Sequence, residues 1–190
     1  MKKIILIGGG GHCESVIDVI EQEGRFQIAG IIDKPNLVGK RVLGYSFIGT
    51  DSDLSKLSEK YGYALVTVGQ IQTPELRKRL ISLAVTAKFK FPVVVSPRAY
   101  IAKDVCIGDG TVIMHDALVN VSASVGNHCI INSKALIEHN AVIEDYCHIS
   151  TAAVINGGSI VRQDSFVGSN STTKEYIEIK GFIKAGELKK

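Results

Sequence analysis

The chain carries two hydrophobic periods in succession. In its first half, short apolar runs alternate with stretches whose apolar residues recur every three or four positions. Lys3–Ile7 reads as a buried strand, and Cys13–Glu23 places Val16, Ile17, Val19 and Ile20 on one helical stripe that Gly24 ends. Ile28–Ile32 is a second strand, closed by Asp33-Lys34-Pro35-Asn36. After a turn-rich stretch, Asp51–Lys60 reads as a helix capped by Asp51 or Ser52, and Ala64–Val68 as a third strand. Thr73-Pro74-Glu75 opens a helix running to about Lys88, since proline after threonine suits the first helical position. Phe91–Val95 is a fourth strand. This alternation predicts a small, mostly parallel α/β sheet of Rossmann type.

From about Ala99 the helical period vanishes and a period of six replaces it. Ile101, Ile107, Ile113, Val119, Val125, Ile131, Ile137, Ile143, Ile149, Ile155, Val161 and Val167 stand six apart without a gap. Two residues before each stands a small side chain, such as Ala117, Cys129, Ala135, Cys147 or Ser159, with Val105 the one larger member. One hexad cannot bury its apolar face alone, so the repeat predicts short strands stacked into a parallel β-helix. The expected division is a Rossmann-like domain over residues 1–96 and a β-helix over 97–190. After Gly168 the repeat decays through Thr173 and Lys174 and resumes weakly at Ile179, which predicts a frayed or capping last coil.

Composition removes several function classes. The 190 residues suffice for two small cores, and the net charge of +3 is spread over mixed-sign surface, leaving no basic stripe for nucleic acid. The cysteines at 13, 106, 129 and 147 form no C-x-x-C pair, which excludes a zinc or dithiol motif and fits a reducing compartment. Ile4–Ile7 is too short for the h-region of a signal peptide, which needs about seven apolar residues, and no run approaches the roughly 18 of a membrane helix. A cytoplasmic protein with no membrane insertion is expected.

Chemistry enters at two places. Gly8-Gly9-Gly10-Gly11-His12 follows a strand and opens a helix, the setting in which bare backbone N–H groups bind phosphate. Cys13 stands where a full dinucleotide fingerprint has glycine, so a complete NAD site is not expected. Asp33 reads equally as a ribose-binding acid or as a turn aspartate. In the hexads, His115 and His128 read as solvated turn residues, whereas His139 and His148 lie in Leu136-Ile137-Glu138-His139-Asn140 and Tyr146-Cys147-His148-Ile149, downstream of Asn132-Ser133.

With its Gly-rich start, the Ile31-Ile32-Asp33-Lys34 strand end and the Ile137-Glu138-His139 motif among hexads of the form Ile107-Gly108, Val125-Gly126 and Val167-Gly168, the chain resembles one family. It is the sialic acid O-acetyltransferase and UDP-4-amino-sugar (bacillosamine-type) N-acetyltransferase family of hexapeptide-repeat acyltransferases. The resemblance implies a left-handed helix of three hexads per coil and acetyl-CoA as acetyl donor, with no metal. It makes His139 the catalytic base, assisted by Asn132 and Asn140, and places His148, Gly157 and Gly168 toward acetyl-CoA, Gly157 as an oxyanion donor. Gly11, His12 and Asp33 would face the nucleotide of the sugar. It also implies a homotrimer with the site shared between neighbouring chains. An imidazole, with an ordinary pKa near 6.5, suits a base at neutral pH.

Two features depart from that family: Asn140 stands where its amino-sugar members have an acid, and the chain ends at Lys190 without the usual Gly-x-Pro-Ala tail. N-acetylation of a UDP-4-amino-4,6-dideoxy sugar is therefore weighed against O-acetylation of sialic acid or a sialic acid-like nonulosonate, and against a non-catalytic β-helix scaffold. A metal enzyme of carbonic anhydrase type would need three suitably spaced histidines, and His115, His139 and His148 do not supply them.

Overall fold

The computed structural model describes residues 1–190, which divide into two compact units. The first comprises Met1–Gly69 and Glu75–Pro92, the second Gln70–Pro74 and Val93–Lys190.

In the first unit, β1 (Lys2–Ile7), β2 (Phe26–Ile32), β3 (Arg41–Val42), β4 (Tyr45–Gly49) and β5 (Tyr63–Val66) form a sheet in the order β3-β4-β2-β1-β5, parallel except for the β3-β4 hairpin. Helices α1 (Gly11–Glu23), α2 (Leu54–Tyr61) and α3 (Glu75–Thr86) connect the strands. Ile4–Ile7 are buried on both faces of the sheet, as a central parallel strand requires, and α1 buries the stripe of Val16, Ile17, Val19 and Ile20. The region before α2 is a hairpin and a short 3₁₀ turn, Asp51–Asp53, in which Thr50 and Asp53 cap each other. The fourth strand expected at Phe91–Val95 is not part of this sheet. Only Val94–Val95 is extended, and it pairs with Val112–Ile113 as the first rung of the second unit. Pro92, which has no N–H to donate, interrupts the run.

The second unit is a left-handed parallel β-helix of two-residue strands, arranged as three sheets of six, five and six strands. Residues eighteen apart lie side by side, as Leu118 beside Leu136 beside Val154. The inward aliphatics from Ile113 to Val167 are all buried, each worth about 1.5–3 kcal/mol on leaving water. The small residue two places earlier also points inward, and its size sets how closely the coil can wind. Where that residue is polar, its hydroxyl finds a backbone carbonyl: Ser159 Oγ donates to Lys174 O at 2.7 Å and Ser171 Oγ to Lys184 O at 2.7 Å in the next coil, and Ser165 Oγ to Arg162 O in its own. Each corner turns through a left-handed residue, one at every sixth position from Gly110 to Tyr176. Asp116, Asn140 and Asn170 suit that slot, since short polar side chains tolerate it best.

The last coil is wound rather than frayed. Thr173, Ile179 and Ile183 are buried in the inward slots, and Phe182 stacks on Phe166 with ring centroids 5.2 Å apart. Its pairing narrows to sixteen residues, Phe166 beside Phe182, through a turn at Gly181. The period of six therefore loses two residues there, which hid the coil in the sequence.

Cys129 and Cys147 sit in the small inward slots of successive coils. Hydrogen bonding between the two sulfurs, together with burial, pushes the Cys147 thiol far up; burial pushes that of Cys13 up to about 11. Of the four thiols only Cys106 is exposed. Alkylation of the native protein, followed by intact mass, is therefore expected to add one label per chain, and four after unfolding. Rapid native labelling at Cys129 or Cys147 would mean that the coils open.

Candidate active site

In the first unit, a cavity of about 390 Å³ opens at the carboxyl ends of β1, β2 and β4, lined by Ile7, Gly8, Ile32, Asp33, Thr50, Asp51 and Arg79 among others. The chain runs outward from β1 through β2 to β4 on one side and returns from β4 through α2 to place β5 on the other side of β1, so the strand order switches here, the usual binding crevice of an open parallel sheet. Asp33 is a turn residue by its hydrogen bonds, and it also faces the cavity. Its Oδ2 accepts the Gly9 N–H at 2.7 Å and its Oδ1 the Lys34 N–H at 2.7 Å, so it pins the glycine turn while lining the cavity. Gly10 caps α1 without a side-chain hydrogen bond, and nothing lies within 4 Å of where a Cβ would stand on Gly10 or Gly11. The start of α1 thus presents open backbone suited to an anion. Gly11 and His12 do not line the cavity itself.

In the second unit, the candidate residues fall in two groups at different corners of the helix. The first group surrounds His139, which is exposed. Its Nδ1 lies 3.1 Å from Asn140 Oδ1; a carbonyl oxygen only accepts, so the tautomer that makes this contact a hydrogen bond has the proton on Nδ1 and the lone pair on Nε2. Glu138 does not support the ring. Its Oε2 accepts the His139 backbone N–H at 3.2 Å and the Asn120 Nδ2–H at 2.8 Å. The imidazole lies over Gly157, where a Cβ would stand 2.7 Å from both Cε1 and Nε2, so only glycine leaves room for it.

The same corner treats successive coils differently. Asn120 caps the Val121 N–H at 2.8 Å, and Glu138 caps that of His139. Asn156 instead turns to the next coil, its Nδ2 donating to Thr173 O at 2.7 Å and its N–H to Thr173 Oγ1 at 2.8 Å. The Gly157 N–H is therefore left without a hydrogen-bond partner, on a buried residue that the Nε2 edge of His139 covers.

The second group centres on His148, which is buried. Its Nδ1–H donates to Gln70 O at 2.5 Å, and its Nε2 faces Asn132 Nδ2 at 3.2 Å. Asn132 Oδ1 accepts the Ser133 N–H at 2.8 Å. Gln70 Nε2 in turn donates to Tyr146 O at 2.7 Å, so the Gln70–Pro74 segment is fastened to the β-helix at both ends of one amide side chain and one carbonyl. Gly168 spends its N–H on Ile183 O at 2.9 Å, and the backbone of Ala185 packs against it. The structure does not bring His139 and Gly157 together with Asn132, His148 and Gly168 within one chain.

Other expectations change. His128 is buried and stacked on Tyr146, with ring centroids 5.5 Å apart, rather than solvated; His115 Nδ1 pairs with the buried Ser96 hydroxyl at 2.7 Å. Gln70 was not anticipated, since its partner is 78 residues away and no local pattern marks it. No group of three or more His, Cys, Asp or Glu side chains is placed to hold a metal ion, and no helix is long and apolar enough to cross a membrane.

Residues 3–82 match the family model described as the PglD N-terminal domain. No curated protein matches the sequence. Among solved structures, the chain is similar to a histidine-to-asparagine variant of perosamine N-acetyltransferase from Caulobacter crescentus in complex with CoA and GDP-perosamine, with 26% identity over 99% of this chain and 88% of that chain and a TM-score of 0.91. It is also similar to the acetyltransferase domain of PglB from Neisseria gonorrhoeae in complex with acetyl coenzyme A, with 26% identity over 97% of this chain and 89% of that one and a TM-score of 0.89.

Proposed function

We propose that the protein is an acetyl-CoA-dependent N-acetyltransferase acting on the amino group of a nucleotide-linked 4-amino-4,6-dideoxy sugar in bacterial glycan biosynthesis. The observation that carries this reading is the pairing at one corner of an imidazole whose Nε2 makes no hydrogen bond with the unpaired N–H of Gly157 beneath it. The acceptor amine attacks the thioester carbonyl carbon, the new C–N bond forms, and the amine proton passes to His139 Nε2. The carbonyl electron pair collects on oxygen, where the Gly157 N–H stabilises it, a contact of a kind worth about 3–4 kcal/mol. When the C–S bond breaks, the thiolate leaves and is protonated as CoA. The thioester is already activated, so no nucleophilic side chain is required. The cavity of the first unit and the open start of α1 suit the nucleotide, UDP by the family resemblance and GDP in the Caulobacter relative.

The two groups of site residues, set at separate corners of one chain, support a homotrimer in which His139 of one chain meets the His148 and Asn132 side of another. The outward residues beside the His139 corner support the same assembly, running Tyr100, Leu118, Leu136, Val154 up one sheet with Tyr100 60% exposed. A cytoplasmic setting fits four unpaired thiols.

The test is thiol release from acetyl-CoA with UDP- and GDP-linked 4-amino-4,6-dideoxy sugars, beside sialic acid. CoA released with an amino sugar and not with sialic acid is the expected result. Turnover with the hydroxyl acceptor alone would replace the reading by O-acetylation, which the neutral Asn140 beside His139 would then explain. Absence of both turnover and CoA binding would leave the scaffold.

A further inference from the structure

Gly157 and Gly158 are adjacent, and each has a ring laid on it. The His139 imidazole comes to Gly157 from the coil before, its Nε2 and Cε1 2.7 Å from where a Cβ would stand. The Tyr176 phenol comes to Gly158 from the coil after; a Cβ there would lie 2.3 Å from its Cδ1 and 2.4 Å from its Cε1. The Tyr176 N–H donates to Gly157 O at 3.0 Å, which ties its backbone to the residue whose own N–H is unpaired.

A ring also lies on a glycine of the coil before it where His128 covers Gly110, but His128 is buried there, whereas Tyr176 faces solvent. Its side chain is 77% exposed and its backbone is left-handed, with φ of 54°, a conformation in which an aromatic residue is strained. Tyr146 occupies the same slot of the repeat at another corner, but its ring is stacked on His128. The slot therefore does not force the ring into solvent.

We propose that Tyr176 is a substrate contact: its ring is the platform on which the hexose of the acceptor rests while the hexose nitrogen lies at His139 Nε2. This rests on the acetyltransferase reading above. The nitrogen must reach Nε2, because that is the imidazole nitrogen with the lone pair. Nε2 overlies Gly157, so the sugar bearing the nitrogen lies over the junction of Gly157 and Gly158, where the phenol is. A 4-amino-4,6-dideoxy hexose offers C–H bonds and a methyl group next to its nitrogen, an apolar face for an aromatic ring, while the phenol hydroxyl stays at the wet edge. The preference for a deoxy sugar over a fully hydroxylated one follows from the same contact.

The test compares Tyr176→Asn and Tyr176→Phe with the wild-type chain, asparagine being chosen because it suits the left-handed backbone. Calorimetry with GDP-perosamine and with the UDP-linked amino sugar measures binding whether or not the protein turns over, and steady-state thiol release supplies KM for sugar and for acetyl-CoA. Tyr176→Asn is expected to weaken the Kd and raise the KM of the sugar nucleotide about tenfold, leaving the affinity for free GDP or UDP and the KM for acetyl-CoA unchanged, and Tyr176→Phe to restore wild-type values. The chain has no tryptophan, so the emission missing in Tyr176→Phe is that of Tyr176 itself, and it is expected to change on sugar titration. A rise confined to acetyl-CoA, an equal loss for the free nucleotide, or no change would overturn the platform. A wild-type chain that binds the sugar nucleotide without releasing thiol would sink the acetyltransferase reading instead, and the calorimetric comparison would still decide the role of Tyr176.

Discussion

Replacing His139 by alanine is expected to lower kcat/KM for acetyl transfer about a thousandfold, within the range in which a positioned base accelerates proton transfer. The variant removes the one acceptor nitrogen at the Gly157 corner, and no other side chain there can take the amine proton: Asn140 is an amide, and the Glu138 carboxylate is occupied by the backbone N–H of residue 139 and by Asn120. The His139 ring is exposed and makes one side-chain hydrogen bond, to Asn140, so thermal unfolding and the affinity for acetyl-CoA are expected to stay as in the wild type. The measurement is thiol release at saturating and limiting sugar, with calorimetry of acetyl-CoA alongside. A loss below tenfold would remove His139 as the base.

Adding one methyl group at Gly157 is expected to reduce kcat about a hundredfold, the order of loss that follows a displacement of about 1 Å at the reacting groups. In Gly157→Ala the new carbon would stand 2.7 Å from the imidazole, and the ring has to move off the unpaired N–H for it to fit. The backbone of Gly157 is not left-handed, so alanine adds no strain of its own and the coil is expected to melt at the wild-type temperature. The sugar KM is expected to change little, because the substitution displaces the His139 ring and none of the residues proposed for the nucleotide. Wild-type kcat in Gly157→Ala would show that catalysis does not need the imidazole over this residue. The two variants together separate the base from its placement.

The β-helix was legible because a solenoid writes itself on the sequence: every coil needs the same inward residues, so the rule repeats and errors cannot accumulate. What broke the rule was hidden, as at Gly181, where two residues are missing from the period and the last coil read as either frayed or capping. In the α/β unit the helices and central strands were readable from their apolar stripes, whereas β3 and β4 were not, since two-residue and five-residue strands joined at Leu43 and Gly44 carry too little alternation to stand out. Val94–Val95 shows the reverse case. The apolar run was read correctly as extended, but its partner, Val112–Ile113, is a matter of topology and not of local pattern.

The candidate site was legible only in part. Resemblance pointed to His139 and set Asn140 beside it as a neutral acceptor in place of an acid; the structure adds their contact, 3.1 Å between Nδ1 and Oδ1. The slot is left-handed, with φ of 60°, and asparagine both tolerates that backbone and reaches the ring. The unpaired N–H of Gly157 depends on which way Asn156 turns, and the fastening of Gln70 depends on His148; both are choices among partners that are distant or equivalent in sequence.

Each rung of the β-helix pairs only with the rungs one coil before and one coil after it, so the free energy of opening is highest in the middle of the stack and falls toward its ends. Ile137 and Ile155, which carry the corners with His139 and Gly157, have rungs on both sides, whereas the Thr172–Thr173 rung that leads into Tyr176 has only the terminal Leu188–Lys189 strand beyond it. Loosening of the final coil therefore reaches the hexose platform first and the base last. Sugar grip and proton transfer are thereby set on different steps of one stability gradient, and warming or dilute denaturant would raise KM for the sugar before it lowered kcat.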